Sequence, residues 1–491
     1  MLSSALPPSR AHRTAALSAA IAVVLTALAL GITTWLFIRY PGVLVSGVAN
    51  TDPKGHVDFE TFWRSTGALL HGTDTYRTGS VLPNLNPPFL SLLLAPFGLL
   101  PLLPSYWVFT GLTVVLVTAS VLAVARELRL SRAATTFGVF TLWASSPLHG
   151  TLLLGQIYGL LLAGLVLAWL AQRRGRPLLS AVLLGVVVAL KPSLAPLLLI
   201  PLAQRRWPAL WAGIASAGAT SLAGVLVAGP SSALEWLHLA TGTPAPEVDA
   251  NASLPGLVAR LSGPGVLGWL VTLAVVVGTL WWVRDAVPAA GGMPPGVAER
   301  ADATMFAVAA GCLLASPIAW LNYEVMLWPG ALLLLAAGRW RLGVPLLVFP
   351  VIPVAWGYLW QAAPTAPAAL LGRSLYCAVL VAFWVVLLAF LRTYSATPAA
   401  PGSARDGLST PDARVVGAAA SSGAADSGAA ASAGAAASAG VPSAGGAAGS
   451  GSARNHSTPV GGTRSVAEAG RPCHGSSVAT TEPMFPTPEP P

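Results

Sequence analysis

The chain has 491 residues, 54% of them hydrophobic and only 9% charged, with a formal net charge of +9 and a mean hydropathy of +0.69. A water-soluble domain carries about 25% charged residues, so this composition excludes a soluble enzyme and describes a polytopic, all-α membrane protein. The positive balance lies almost wholly in arginines at the ends of apolar runs, which sets membrane orientation and leaves no nucleic-acid partner to expect.

Residues 1–14 are short and polar, with Arg10 and Arg13, and read as a cytoplasmic N-terminus. The apolar run Ala15–Ile38 exceeds the about 7–15 residues of a signal-peptide core, so it reads as a retained span. Residues 51–101 then face outward. Their first part, 51–89, is far more polar than nearly everything before residue 390. It holds Asp52, Asp58, Glu60, Asp74, Lys54, Arg64, Arg77, His56 and His71 around an amphipathic run, Val57–Leu70. Polar side chains gathered between two spans mark this as the active-site loop, with Asp58 the first candidate and Glu60 the alternate. Asn86–Pro101 is apolar but broken by prolines, which suits an interfacial or re-entrant piece.

Ser105–Ala125 returns to the cytoplasm at the arginines of 126–132. Ala133–Pro147 goes out, Leu148–Gln156 reads as a short external turn, and Ile157–Ala171 comes back to the arginines of 172–176. Leu178–Ala203 contains Lys191-Pro192 near its middle and ends at Arg205 and Arg206. One crossing would leave those arginines outside, so a hairpin broken at Lys191-Pro192 is favoured. Pro208–Ala228 goes out to an external loop, Gly229–Pro264, and Gly265–Val283 returns. Ala303–Ala315, a turn at 316–324 and Val325–Ala337 follow; Leu342–Trp360 and Pro367–Leu391 complete about 10–12 membrane segments. The membrane domain is thus expected over 15–392, with both termini cytoplasmic. Residues 393–491 are rich in Ala, Gly, Ser and Pro and read as a disordered cytoplasmic tail. The three cysteines, Cys312, Cys377 and Cys473, have no ligand or disulfide spacing, and no zinc, haem, P-loop or dinucleotide signature occurs; neither metal nor cofactor is expected.

Five stretches in this order resemble the polyprenyl-phosphate-sugar-dependent glycosyltransferases of family 87, the actinobacterial mannosyltransferases. They are DFETFW (58–63) with LLHGTDTY (69–76) and the proline-bracketed run 86–101; GQIYGLLLAGLVLAW (155–169); the run ending ALKPSLAPLLLIPL (189–202); NASLPGLVARL (251–261); and SPIAWLNYE (316–324). The sequence departs from the pattern at Tyr158, where the family often has Asn, and at Asn322-Tyr323, which replace a His pair. The resemblance implies a GT-C-like membrane enzyme of the plasma membrane with an extracytoplasmic site. Its donor would be a polyprenyl-phosphate-linked hexose, mannose first, and its acceptor a glycolipid or glycan hydroxyl, with inversion.

From pattern alone Asp58 reads equally as a base or as an N-terminal helix residue stabilised by the macrodipole; the resemblance favours the base. Lys191, deep in an apolar segment, points to a lipid phosphate, against snorkelling or a carboxylate pair. Arg64, Arg77 and Arg260 are phosphate clamps or interfacial anchors. Gln156, Asn251, Asn322 and Glu324 are sugar or phosphate hydrogen-bonders, or ordinary turn residues. The rival classes are a transporter or flippase, and a family member without activity; nothing in the sequence sets an oligomeric state.

Overall fold

The computed structural model describes residues 48–50, 52–286, 297–351 and 374–392, with isolated positions 24, 27 and 31. The expected segment 1–14, nearly all of the span Ala15–Ile38, part of the last expected pair (352–373) and the tail 393–491 lie outside these residues. In chain order the helices are α1 Val57–Leu70, α2 Pro88–Leu93, α3 Leu102–Glu127, α4 Arg132–Trp143, α5 Ser146–Leu154, α6 Tyr158–Arg173, α7 Pro177–Leu190 and α8 Leu199–Ala203. They continue as α9 Trp207–Ala228, α10 Pro230–Gly242, α11 Leu254–Arg260, α12 Gly265–Val283, α13 Val297–Ala315, α14 Trp328–Ala336, α15 Trp340–Val348 and α16 Leu375–Arg392. Among the described residues no strand forms; Asn251 and Trp320 make an isolated bridge. Helices α3, α9, α12 and α16 are long and apolar enough to cross a membrane, and shorter apolar helices accompany them. The protein is an all-helical membrane protein.

The amphipathic run in the polar loop is α1, and the proline-broken stretch after it becomes α2 and a 3-10 turn at Ala95–Leu99. Two expectations need correction. Leu148–Gln156 is mostly helix: Ser145 caps α5 by accepting from the Leu148 N–H, Pro147 stands in its first turn, and Gly155 ends it in the left-handed region at φ 67°. Those start and stop signals were present but lay inside apolar sequence. The external stretch 229–264 likewise holds two helices, α10 and α11, the second capped by Ser253 through the Gly256 N–H.

Lys191 ends α7, because Pro192 has no N–H to continue the ladder; a 3-10 stretch, Pro192–Leu198, and α8 follow. Arg206 then donates to the Gln172 side chain at 3.3 Å and Gln204 to the Ala286 carbonyl at 3.0 Å. The chain therefore comes back to the end where α6 stops, as the broken hairpin requires. Arg173 joins the same end by pairing with Asp302 and, at 3.3 Å, with Glu127. Packed beneath are α13 and α14, whose Phe306, Leu313, Trp328 and Leu332 are fully buried; the Trp328 indole donates to the Gly138 carbonyl of α4 at 3.0 Å.

Helices α7 and α9 meet through glycines, the close approach that replaces hydrophobic driving force between helices in lipid. A Cβ on Gly185 would stand 2.5 Å from the Gly213 carbonyl oxygen and 2.8 Å from the Ala217 nitrogen, both backbone atoms that cannot swing aside. Gly185→Ala is expected to destabilise the purified protein by about 1–3 kcal/mol, read as a lowered thermal midpoint in detergent. Gly218→Ala, where nothing lies within 4 Å, is expected to leave the midpoint unchanged or raise it. Equal midpoints for Gly185→Ala and the parent would refute the packing.

Candidate active site

The site begins with how α1 is held. His56, just before α1, is buried and places Nδ1 2.8 Å from the Leu153 carbonyl and Nε2 3.0 Å from the Asn50 carbonyl. Its ring stacks on Tyr106 of α3 at 3.7 Å, and the Tyr106 hydroxyl donates to the Leu152 carbonyl at 2.8 Å. Phe59 packs against Tyr106 and Phe109 and fills the space beside Gly155, where a Cβ would come within 2.5 Å of the Phe59 Cβ. The start of α1 is thereby fastened to the end of α5, and Asp58 is set beside Gln156. The Gln156 side chain hydrogen-bonds the Asp58 carboxylate. Loss of surrounding water pushes the Asp58 carboxyl up to about 6, against the opposing pull of that hydrogen bond and of the Lys191 charge.

Lys191 reaches this point from the break after α7. Its ammonium lies 5.2 Å from the centre of the Tyr323 ring, and it makes no ion pair within 4 Å among the described residues. Tyr323 packs on Tyr158 with ring centres 4.2 Å apart, and both rings are buried. Two of the positions that the resemblance singled out, Tyr158 and Tyr323, are therefore in contact. Asp58, Gln156, Tyr158, Lys191 and Tyr323 converge from the start of α1, the turn before α6, the first residue of α6, the end of α7 and the 3-10 stretch Leu321–Leu327. Sequence reasoning had placed the tyrosines only as replacements and had given His56 no role. Its spacing two residues before Asp58 was the one available signal.

The other candidate residues are placed elsewhere or already occupied. Glu60 is buried and ion-paired with Arg64 one turn on through Oε1, while among the described residues its Oε2 has no hydrogen-bond partner. Arg77 is exposed and ties the loop together through Asp74 at 3.6 Å and Glu235 at 3.5 Å. The Asn251 side chain accepts from the Ser253 and Ala319 N–H groups and donates to the Pro246 and Pro317 carbonyls, so its amide fastens two loops. Arg260 Nη1 donates to the carbonyls of Val248 and Asn251 at 3.0 and 2.8 Å. Asn322 is buried against Gly150, whose missing Cβ gives it room. Glu324 is fully buried near Tyr376 and Cys377 of α16, and its carboxylate oxygens make no hydrogen bond. Among the described residues no three His, Cys, Asp or Glu side chains are grouped to hold a metal.

The family model of glycosyltransferase family 87 matches residues 84–317. The chain is 35% identical over 165 residues to an alpha-(1->3)-arabinofuranosyltransferase of Mycobacterium tuberculosis, covering 32% of this chain and 38% of that protein. The Mycolicibacterium smegmatis arabinofuranosyltransferase is 34% identical over 158 residues, 30% of this chain and 37% of the relative, so the match spans well under half of these proteins. A polyprenol-phosphate-mannose-dependent alpha-(1-2)-phosphatidylinositol mannoside mannosyltransferase of Mycobacterium tuberculosis is 26% identical over 316 residues, covering 58% of this chain and 71% of the relative.

The raised carboxyl of Asp58 has a consequence for stability. Between its ordinary 3.8 and its folded value of about 6, the native state binds the proton more tightly than the unfolded chain. Stability from this group is therefore full below about pH 4 and is lost as pH rises through about 6, by about 3 kcal/mol in all. Asp58→Asn removes that loss. The variant is expected to melt above the parent near neutral pH, by about 1–3 kcal/mol, and together with it near pH 4. Coincident melting at neutral pH would show that the carboxyl is not desolvated.

Proposed function

We propose that this protein is a member of glycosyltransferase family 87 and moves a sugar from a polyprenyl-phosphate donor to a hydroxyl of a cell-envelope glycolipid or glycan, with inversion, at the outer face of the plasma membrane. The observation that carries the reading is the meeting of Asp58, with its raised carboxyl, and Lys191, a cation with no ion pair, under the same tyrosine pair.

The acceptor hydroxyl attacks the anomeric carbon from the face opposite the phosphate. As the new C–O bond forms, the acceptor proton passes to the Asp58 carboxylate, and the bond between the anomeric carbon and the phosphate oxygen breaks. The released lipid phosphate gains negative charge, which the Lys191 ammonium stabilises where it develops. A base with a pKa of about 6 is mostly ionised near neutral pH yet still basic enough to take a proton in the transition state. Gln156 orients the carboxylate, and the tyrosine faces offer a stacking wall for a sugar ring. Asp58 lies on α1 outside the long spans, which suits an enzyme better than a transporter with its ionisable residues at the midplane.

Mannose is the first sugar, because the relative named for polyprenol-phosphate-mannose is matched over 71% of its length. Arabinofuranose is the second reading, favoured by the higher identity of 35% to the arabinofuranosyltransferase over a shorter stretch.

The test is transfer by membranes expressing the parent, Asp58→Asn or Lys191→Gln at matched levels. Labelled polyprenyl-phosphate-mannose and the corresponding arabinofuranose donor are each supplied with envelope glycolipids. Asp58→Asn is expected to lower the rate by about 100-fold or more while still binding donor, and Lys191→Gln to weaken donor retention. The parent's kcat/KM is expected to fall as one proton binds below about pH 6. An active Asp58→Asn variant overturns the base assignment. Absence of transfer from both donors by the parent overturns the enzyme reading in favour of an inactive member or a transporter.

A further inference from the structure

The end of the bundle away from Asp58 holds a cavity of about 510 Å³, counting its open mouth. It lies between α6, α7, the α8–α9 turn and the start of α13. Trp169 stands about 16 Å along α6 from Tyr158, and Ser180 about 16 Å along α7 from Lys191, at about 1.5 Å of rise per residue. Both line the cavity, so it is separate from the candidate active site although the same helices frame both.

The polar groups in its wall are unusually uncommitted. Among the described residues the fully buried Trp169 indole N–H and the buried Thr304 hydroxyl have no hydrogen-bond partner. Arg206 is half-buried there and donates only to neutral amide oxygens, Gln204 at 3.4 Å and Gln172 at 3.3 Å. Among the described residues no carboxylate pairs with it. The one acid among the described wall residues, Asp302, is paired with Arg173, and Glu127 with Arg173 and Arg174, and neither of these two carboxylates pairs with Arg206. A partly buried guanidinium without a counter-charge, beside an indole N–H and a hydroxyl without partners, is the donor set that a phosphate group satisfies. The wall also carries apolar side chains, Leu184, Ile200 and Met305, and Leu178, Leu202 and Trp207 are exposed nearby in sequence. A free phosphate has no use for that surface; a lipid's glycerol and acyl chains do.

We propose that this cavity binds the phosphodiester headgroup of an anionic phospholipid, with Arg206 supplying the charge and Trp169 and Thr304 donating to phosphate oxygens. On the orientation proposed above, the lipid comes from the cytoplasmic leaflet. Because α6 and α7 run from this cavity to Tyr158 and Lys191, a lipid seated here braces the frame of the candidate site from its far end. The assignment stands independently of the transferase reading, since its readout is lipid retention.

The full chain, purified in detergent, is exposed to phosphatidylglycerol, phosphatidylcholine or inorganic phosphate and examined by native mass spectrometry and thermal unfolding. The parent is expected to retain phosphatidylglycerol in preference to phosphatidylcholine and to be stabilised by it. Arg206→Gln is expected to lower that retention about tenfold, the effect of losing one charged hydrogen-bonding partner. Thr304→Val, which keeps shape and charge, is expected to lower it several-fold, and serves if the arginine variant does not fold. Arg77→Gln, an exposed arginine of the polar loop, is expected to have no effect. Equal retention of the two lipids, or parent-like retention of phosphatidylglycerol by both cavity variants, overturns the proposal. Stabilisation by inorganic phosphate equal to that by phosphatidylglycerol overturns it as a lipid site and makes the cavity a soluble-anion site.

Discussion

Pro192 cannot donate the hydrogen bond that would carry α7 onward, and the architecture depends on that missing N–H. The helix ends at Lys191 instead of burying its ammonium mid-span, and the chain returns as a 3-10 stretch and a short helix. A charged group at the centre of a continuous apolar helix is costly in lipid. At a helix end, facing an aromatic ring and a carboxylate, it is tolerable. The break also brings Gln204 and Arg206 back to Gln172 and Ala286, closing the far end of the bundle.

Several of the charged side chains among the described residues are used for fastening. Glu60 holds Arg64 along one helix, Asp74 and Glu235 hold Arg77 across the loop, and Arg173 joins α3, α6 and α13 through Glu127 and Asp302. Asn251 does the same with neutral chemistry. Among the described residues, Asp58 and Lys191 at one end and Arg206 at the other take part in none of these ion pairs. An uncommitted polar group is costly in a low-dielectric body, which is why both ends merit a chemical reading.

The tyrosine pair joins distant parts of the chain beside the candidate site. Tyr158 and Tyr323 lie far apart in the chain, yet their rings touch, and Lys191 rests over one of them. The two rings share one space between α6 and the facing 3-10 stretch. Burial withdraws water from Asp58 at the same place.

The sequence by itself determined the class of protein, the polar loop with α1 inside it, and the break at Lys191. Composition, helical periodicity and proline's missing N–H are properties of short stretches and need no partner to be read. It also marked Asp58 and Lys191 as unusual, because a charge in apolar surroundings is visible in one dimension. Only the tertiary structure decided that Glu60 is paired with Arg64, that Asn251 is a fastener and that the tyrosines pair. It alone set His56 and Gly155 to hold Asp58 against Gln156. The Glu60–Arg64 spacing was legible as a helical pair, but its burial was not. Whether a polar side chain is occupied or available depends on what the fold places within about 3 Å of it, and those neighbours lie tens to hundreds of residues away along the chain.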